Sequence, residues 1–287
     1  MENDVLAVIN AAANGFSKGQ RRIAKYITDN YDKAAFMTAG KLGATVGVSE
    51  STVVRFAAEL GYDGYPDMRK ALQEMIKNRL TSVQRIEVAK GMTDNTEILT
   101  AVLSSDIDKI RMTLEEVKKS DFYGAVDAIV NAEHIYILGL RSSAALANFL
   151  GFYLNLLLPN VRTVRDSSPN EILEQILRVG EGDVFIGISF PRYSRMTIRA
   201  MQFAHNQGAK VVSITDTETS LIAKNSDIKL YAKSDMLSFL DSLVAPLSLI
   251  NALIVAVANS EKGNLSEDFE RLEKLWSEYA VYGDNEM

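Results

Sequence analysis

Over the first eighty residues, apolar side chains return every three or four positions, the spacing of one helical face. The pattern predicts helices at about 4–13, 18–30, 38–46, 49–60 and 66–80. Gly61-Tyr62-Asp63-Gly64-Tyr65 separates the last two, and Pro66 suits a first helical turn, where a missing N–H costs nothing. In the fourth helix Val53, Phe56, Ala57 and Leu60 recur at i, i+3, i+4 and i+7 and predict one buried stripe. The 100° advance per residue then leaves Ser51, Val54, Arg55 and Ala58 outward, with Glu50 and Thr52 flanking them. Ser49 is a suitable N-cap. With a small-residue helix at 38–46 and a turn at Gly47-Val48 before it, this is the pattern of a helix-turn-helix. Such a narrow face with one long cation fits a major groove and can offer Arg55 to a guanine edge or a phosphate. Ser49, Glu50, Ser51, Thr52 and Arg55 are therefore the predicted DNA contacts. A generic amphipathic helix hairpin would carry the same apolar spacing.

The rhythm then changes. Apolar residues thin out over 81–96, which Gly91 and Asn95 punctuate, and this stretch is the expected hinge. Beyond a helical approach, short apolar runs at 135–138, 161–164, 184–188, 210–214 and 228–230 alternate with helical patterns at 143–158, 170–179, 194–207 and 220–225. Runs buried on both faces and spaced by crossover helices imply an α/β, doubly wound, five-stranded parallel sheet. The expected organisation is an all-α domain over 1–80, a helical linker over 81–105, the α/β domain over 106–262, and a C-terminal helix and tail over 263–287. The apolar stretch at 243–258 is shorter than the roughly 20 residues that span a bilayer, and it holds Pro246, Ser248 and Asn251, so a buried or subunit-interface helix is expected.

At 287 residues the chain suits two domains, and its 47% hydrophobic share is that of an ordinary globular protein. It has no cysteine, hence no disulfide framework or thiolate metal site, and its N-terminus shows no basic flank with an apolar run; a cytoplasmic protein is expected. The net charge is −6, but residues 1–80 hold eleven Lys and Arg against nine Asp and Glu, while the rest holds 20 against 28. This asymmetry permits DNA binding by the first domain without requiring it. Lys18, Arg21, Arg22 and Lys25 form a basic cluster that reads either as a phosphate contact or as a solvated face.

In a doubly wound sheet, ligands sit outside the carboxyl ends of the strands, which selects two loops. Gly139-Leu-Arg-Ser-Ser143 and Ser189-Phe-Pro-Arg-Tyr-Ser194 each run from a strand into a helix. A helix N-terminus with hydroxyl side chains suits a phosphate or carboxylate, although plain capping uses the same residues. The predicted ligand-binding residues are Gly139, Arg141, Ser142, Ser143, Ser189, Arg192, Tyr193 and Ser194.

The first domain resembles the helix-turn-helix of the RpiR family of bacterial transcriptional regulators. The residues that carry this are Gln20-Arg-Arg-Ile-Ala-Lys-Tyr-Ile27, Val48-Ser-Glu-Ser-Thr-Val-Val-Arg-Phe56 and Leu60-Gly-Tyr-Asp-Gly-Tyr65. The second resembles the sugar isomerase (SIS) domain of that family through residues 135–143, 184–194 and Gly208-Ala-Lys-Val-Val-Ser-Ile-Thr-Asp216. The resemblance implies a homodimeric or homotetrameric regulator that binds a double-stranded DNA operator and senses a phosphorylated sugar or related anion. Family loops commonly read Gly-x-Gly-x-Ser and Ser-x-Ser-Gly-x-Thr. Here Arg141 stands at the second glycine, Ser143 keeps the serine, and Pro191-Arg192 replaces the inner Ser-Gly between Ser189 and Ser194. Two readings follow: the guanidiniums bind a more highly charged or carboxylate-bearing effector, or they fill the pocket and pair with Asp166 or Glu171.

A phosphosugar isomerase is the alternative function. Isomerisation needs a positioned base, and the chain offers two histidines, His134 and His205, in positions that suit structural roles, and Glu171 near the loops. There is no His-Glu metal spacing and no Gly-x-Gly-x-x-Gly, so neither a metal nor a dinucleotide cofactor is expected. A third class, an adaptor that only dimerises, would leave the first domain without a role. Leu146, Phe149, Leu150, Tyr153, Leu154 and Leu157 predict a broad apolar helix face, mostly core, with surface left for another subunit.

Overall fold

The structure, a computed structural model, describes residues 5–77, 82–89, 97–165, 168–235, 240–260, 265–279 and 281. They form two compact units, one of residues 1–107 with 235–242 and one of residues 108–234 with 243–287.

The first unit is helical. It contains α1 (Val5–Ala12), α2 (Lys18–Asp29), α3 (Tyr31–Ala34), α4 (Ala39–Val46), α5 (Glu50–Glu59), α6 (Tyr65–Lys77) and α7 (Ser82–Ala89). Capping decides where these helices start. Ser17 and Gln20 form a reciprocal capping box on α2, Thr38 caps α4 through Lys41 N–H, and Ser49 caps α5 through Thr52 N–H. Ile9, Ile23, Ile27, Leu42, Val53, Phe56, Met68 and Leu72 close the core. Two short elements differ from the sequence reading. α3 interrupts the segment between the second and third predicted helices, and α7 occupies part of the expected hinge. Residues 78–81 and 90–96 lie outside the described residues. Within this unit Arg85 of α7, almost fully buried, pairs with Asp241 at 2.9 Å. Ser242 Oγ donates to Asp106 at 2.6 Å.

α8 (Ile98–Glu116) runs from the first unit into the second, which continues with α9 (Lys119–Val130), β1 (Ile135–Gly139), α10 (Ser143–Leu157), β2 (Val161–Thr163), α11 (Pro169–Gln175), β3 (Val184–Ile188), α12 (Arg195–Asn206), β4 (Lys210–Thr215), β5 (Ile228–Tyr231), α13 (Val244–Ser260) and α14 (Leu265–Glu278). The five strands form one parallel sheet in the order β2-β1-β3-β4-β5. β1 and β3 are buried along their whole length, whereas the edge strands β2 and β5 are only partly covered. Alternate residues point to opposite faces. Ile135, Ile137, Ile186 and Ile214 pack with α9, α10 and α13, while Tyr136, Leu138, Phe185 and Val211 pack with α11 and α12. The stretch predicted helical at 170–179 stops at Gln175, and that at 220–225 is a single 3₁₀ turn, Ala223–Asn225, because Ser220 spends its hydroxyl on Ala223 N–H in a tight corner.

Candidate functional site

The helix-turn-helix is built by close backbone approach. A Cβ on Gly43 would lie 2.8 Å from the Val48 carbonyl oxygen, so only glycine lets α4 meet the chain entering α5. Gly47 ends α4 in the left-handed region at φ 69°. On α5 the predicted stripe is inside: Val53, Phe56 and Ala57 are buried, and Leu60 packs against them. Ser49, Glu50, Ser51, Val54, Arg55 and Ala58 are exposed, and Thr52 is half-buried. Ser49 Oγ lies 2.9 Å from Ser51 Oγ and 2.8 Å from Thr52 Oγ1, a hydroxyl cluster at the helix start. Arg55 Nε donates to Ser51 O at 3.3 Å, a weak bond that leaves the guanidinium on the outer face. Of the basic cluster, Arg21 donates from Nε to Phe16 O at 3.0 Å, and Arg22 lies against the Gly47 turn.

In the second unit, β1 and β3 are hydrogen-bonded neighbours with Gly139 opposite Ile188. Their following loops therefore leave the same edge of the sheet side by side. β1 leads into α10 on one face and β3 into α12 on the other, which is the topological switch point. A Cβ on Gly139 would lie 2.3 Å from the Ser143 carbonyl oxygen, so the tight strand-to-helix turn requires glycine. Both arginines of interest sit in the left-handed region, Arg141 at φ 58° and Arg192 at φ 68°. Both are exposed.

The backbone here differs from an open N–H cradle. Ser143, Ala144 and Ala145 donate to the carbonyls of Leu140, Arg141 and Ser142, so the first turn of α10 satisfies its own donors. Ser142 is itself helical (φ −60°, ψ −33°) and its side chain caps nothing, because capping needs an extended backbone. Ser143 is buried, Ser189 Oγ accepts from Ser194 N–H at 3.1 Å, and Ser194 Oγ caps α12 through Thr197 N–H. These hydroxyls close the loop before any ligand arrives. Tyr193 Oη donates to Asp216 Oδ1 at 2.7 Å. Asp216 was not among the predicted site residues; it is buried, directly follows β4, and ties the second loop to the neighbouring strand end. Its signal in the sequence was a carboxylate two residues beyond the apolar run 210–214.

Glu171, in the first turn of α11, lines a shallow open cavity with Arg165, Glu174 and Gln175, and Asp166 lies outside the described residues. His134 precedes β1 at the opposite, amino edge of the sheet, where Nδ1 lies 2.9 Å from Asp183 Oδ1. His205 is in the last turn of α12, 3.8 Å from Asp227. Among the described residues, Glu133, His134 and Asp183 bring ligand-type atoms within 4.8 Å of one another. Asp183 also accepts from Gly180 N–H at 2.9 Å, so the trio ties the turn that precedes β3 to the residues that precede β1. No helix among the described residues is long and apolar enough to cross a membrane.

Comparison with known proteins adds five likenesses. Residues 3–79 match the helix-turn-helix domain of the rpiR family, and residues 128–256 match the SIS domain. An uncharacterised HTH-type transcriptional regulator of Caldanaerobacter subterraneus subsp. tengcongensis is 24% identical over 281 residues, 96% of this chain and 97% of that protein. Among solved structures, the sugar isomerase domain of an RpiR transcription factor from Sphaerobacter thermophilus is 26% identical, with a TM-score of 0.59 over 62% of this chain and 99% of that one. The Vibrio vulnificus NanR protein, solved in complex with ManNAc-6P, shares the fold with a TM-score of 0.60 over 98% of this chain and 100% of that one, at 21% identity.

Proposed function

The chain belongs to the RpiR family of helix-turn-helix transcriptional regulators that carry a SIS domain, and from that premise we propose that Arg141 and Arg192 recognise its anionic effector. The effector is a phosphorylated sugar, and the two guanidiniums favour one with a second anionic group, such as a sugar-acid phosphate. The observation that carries the reading is the pair of left-handed arginines on adjacent strand ends at the switch point. A non-glycine residue there is held against a cost of about 1–3 kcal/mol, and such strain gathers at ligand clamps. With the α10 donors already used within the turn, charge must come from side chains. The related NanR protein, solved with ManNAc-6P, supports an effector of this chemistry.

The DNA reader is α5, with Arg55 directed to a base edge or phosphate and Ser49, Glu50, Ser51 and Thr52 near the DNA backbone. The protein works in the cytoplasm as a symmetric oligomer, a homodimer or homotetramer, because paired recognition helices require symmetric half-sites. Effector binding alters operator affinity through the chain between the domains, and a coupling of about 1–3 kcal/mol is enough for a 5- to 150-fold change. The SIS body, joined to a DNA-reading domain, acts as a sensor: of the three candidate bases, His134 and His205 belong to turns remote along their elements from the two loops, and Glu171 lines an open surface cavity.

The test titrates the full chain with hexose phosphates and sugar-acid phosphates while reading binding to DNA selected by the wild-type protein. Tighter binding of the acid phosphates, with a shift in DNA affinity, is expected. Binding of no anion would reject the sensor, and turnover in a coupled isomerase assay would establish the enzyme instead.

A further inference from the structure

α8 is turned the opposite way from an ordinary surface helix. Over residues 105–113 its inward positions are polar: Lys109 and Thr113 are buried, and Ser105 and Asp106 are half-buried. They are held there by specific bonds. Asp106 accepts from Ser242 Oγ, Thr113 Oγ1 accepts from Lys233 N–H at 2.9 Å, and Lys233 Nζ meets Glu116 Oε2 at 2.6 Å. Its outward stripe is apolar, with Leu99 73%, Leu103 54%, Ile107 57% and Leu114 79% exposed, and Ile110 between them. An amphipathic helix normally places these residue types the other way round. Rotating α8 to bury the stripe would break three polar contacts, so the stripe is fixed outward.

We propose that this stripe is an interface between two copies of the chain, with α8 packed side by side and parallel to the partner's α8. Leu103, Ile107, Ile110 and Leu114 are spaced 4-3-4, the alternation of a coiled-coil seam. Pairing in register stacks each on its own equivalent, so the surface is self-complementary as a two-fold interface requires. The flanks agree in charge. Positions five apart across a parallel seam meet, which brings Asp106 toward the partner's Arg111, and the symmetric contact repeats it. Among the described residues Arg111 makes an exposed pair with Asp108 at 3.1 Å, an interaction of the kind that is worth little and is readily exchanged. A foreign partner would have no reason to match both the spacing and the flanking signs of this chain.

The inference deepens the oligomeric part of the proposed function and rests on that part alone. In the full-length protein, Ile107→Glu/Ile110→Glu places charges on both central layers. The dimer dissociation constant read by analytical ultracentrifugation is expected to rise by at least about 100-fold, with an unchanged far-UV circular dichroism spectrum because both side chains are exposed. The chain has no cysteine, so Leu103→Cys alone and Leu114→Cys alone should each form a disulfide-linked dimer on mild oxidation. A stable dimer in the double glutamate variant, without cross-linking of either cysteine variant, would overturn this interface while leaving the oligomeric regulator intact. Cross-linking only when the two cysteine variants are mixed would overturn the parallel pairing. A wild-type chain that sediments as a monomer at tens of micromolar would overturn both the interface and the oligomer.

Discussion

Replacing Arg192 with glycine should lower effector affinity by more than it changes stability, and that separation makes the test informative. At φ 68° the arginine side chain crowds its own backbone, a strain of about 1–2 kcal/mol. Glycine removes it but gains unfolded-state freedom worth about 0.5–1 kcal/mol. Ion pairing by an exposed guanidinium adds about 0–1 kcal/mol to the loss. The net lies between a loss of about 1 kcal/mol and a gain of about 1.5 kcal/mol, a shift of no more than about 3–6 °C in Tm for a domain of this size. On the ligand side, removing charge-assisted hydrogen bonds costs about 1.5–3 kcal/mol, or about 10- to 150-fold in affinity. Calorimetric titration of the full chain with sugar-acid phosphates, beside thermal unfolding, reads both numbers. Arg192→Lys provides the control, since it keeps the charge and loses the planar fork. A variant that binds its effector unchanged would refute the reasoning, because Arg192 would then have no ligand role.

Arg55→Ala should weaken binding to selected operator DNA by about 1–3 kcal/mol in fluorescence anisotropy, and unchanged affinity would remove Arg55 from the reader. Gly43→Ala forces a methyl to within 2.8 Å of the Val48 carbonyl oxygen; a loss of about 1–3 kcal/mol in the unfolding of the first domain is expected, with DNA affinity falling alongside it. Burial raises the Tyr65 phenol to about 12, partly opposed by Arg69, and its hydroxyl donates to Met37 O at 2.9 Å. The raised value means the contribution is complete below pH 10 and disappears as pH rises from 10 to 12, at most about 2–3 kcal/mol. Tyr65→Phe should therefore be less stable at neutral pH and lose less stability over that interval in alkaline denaturation; parallel curves would count against this assignment.

The elements carrying strong periodicity were readable in the sequence. Val53, Phe56 and Ala57 follow one helical stripe and are buried, and 184–188, apolar throughout, is the strand Val184–Ile188. Boundaries slipped where a side chain took the backbone elsewhere, as Ser220 does in closing a corner on Ala223 N–H. The two loops were selected from fold rules, and their adjacency follows from the Gly139–Ile188 register. The use of their donors within the chain could not be read, because whether Ser189 Oγ faces a ligand or Ser194 N–H depends on backbone torsions that residue type alone does not determine.

α8 illustrates a deeper limit and its remedy. Periodicity identifies an apolar stripe without saying what covers it, and the usual assumption that the stripe faces the chain's own core fails here. The polar side has its own long-range partners, Thr113 with Lys233 across 120 residues of sequence and Asp106 with Ser242 across 136. Those bonds join positions too distant in sequence for any local pattern to reveal. They also change the energetic comparison: burying the stripe in the chain's own core would leave these acceptors without their donors, at about 1–3 kcal/mol for each group stranded in the interior. A second copy covers the same apolar surface with every one of those bonds intact, so association is the arrangement in which both faces of α8 are satisfied at once.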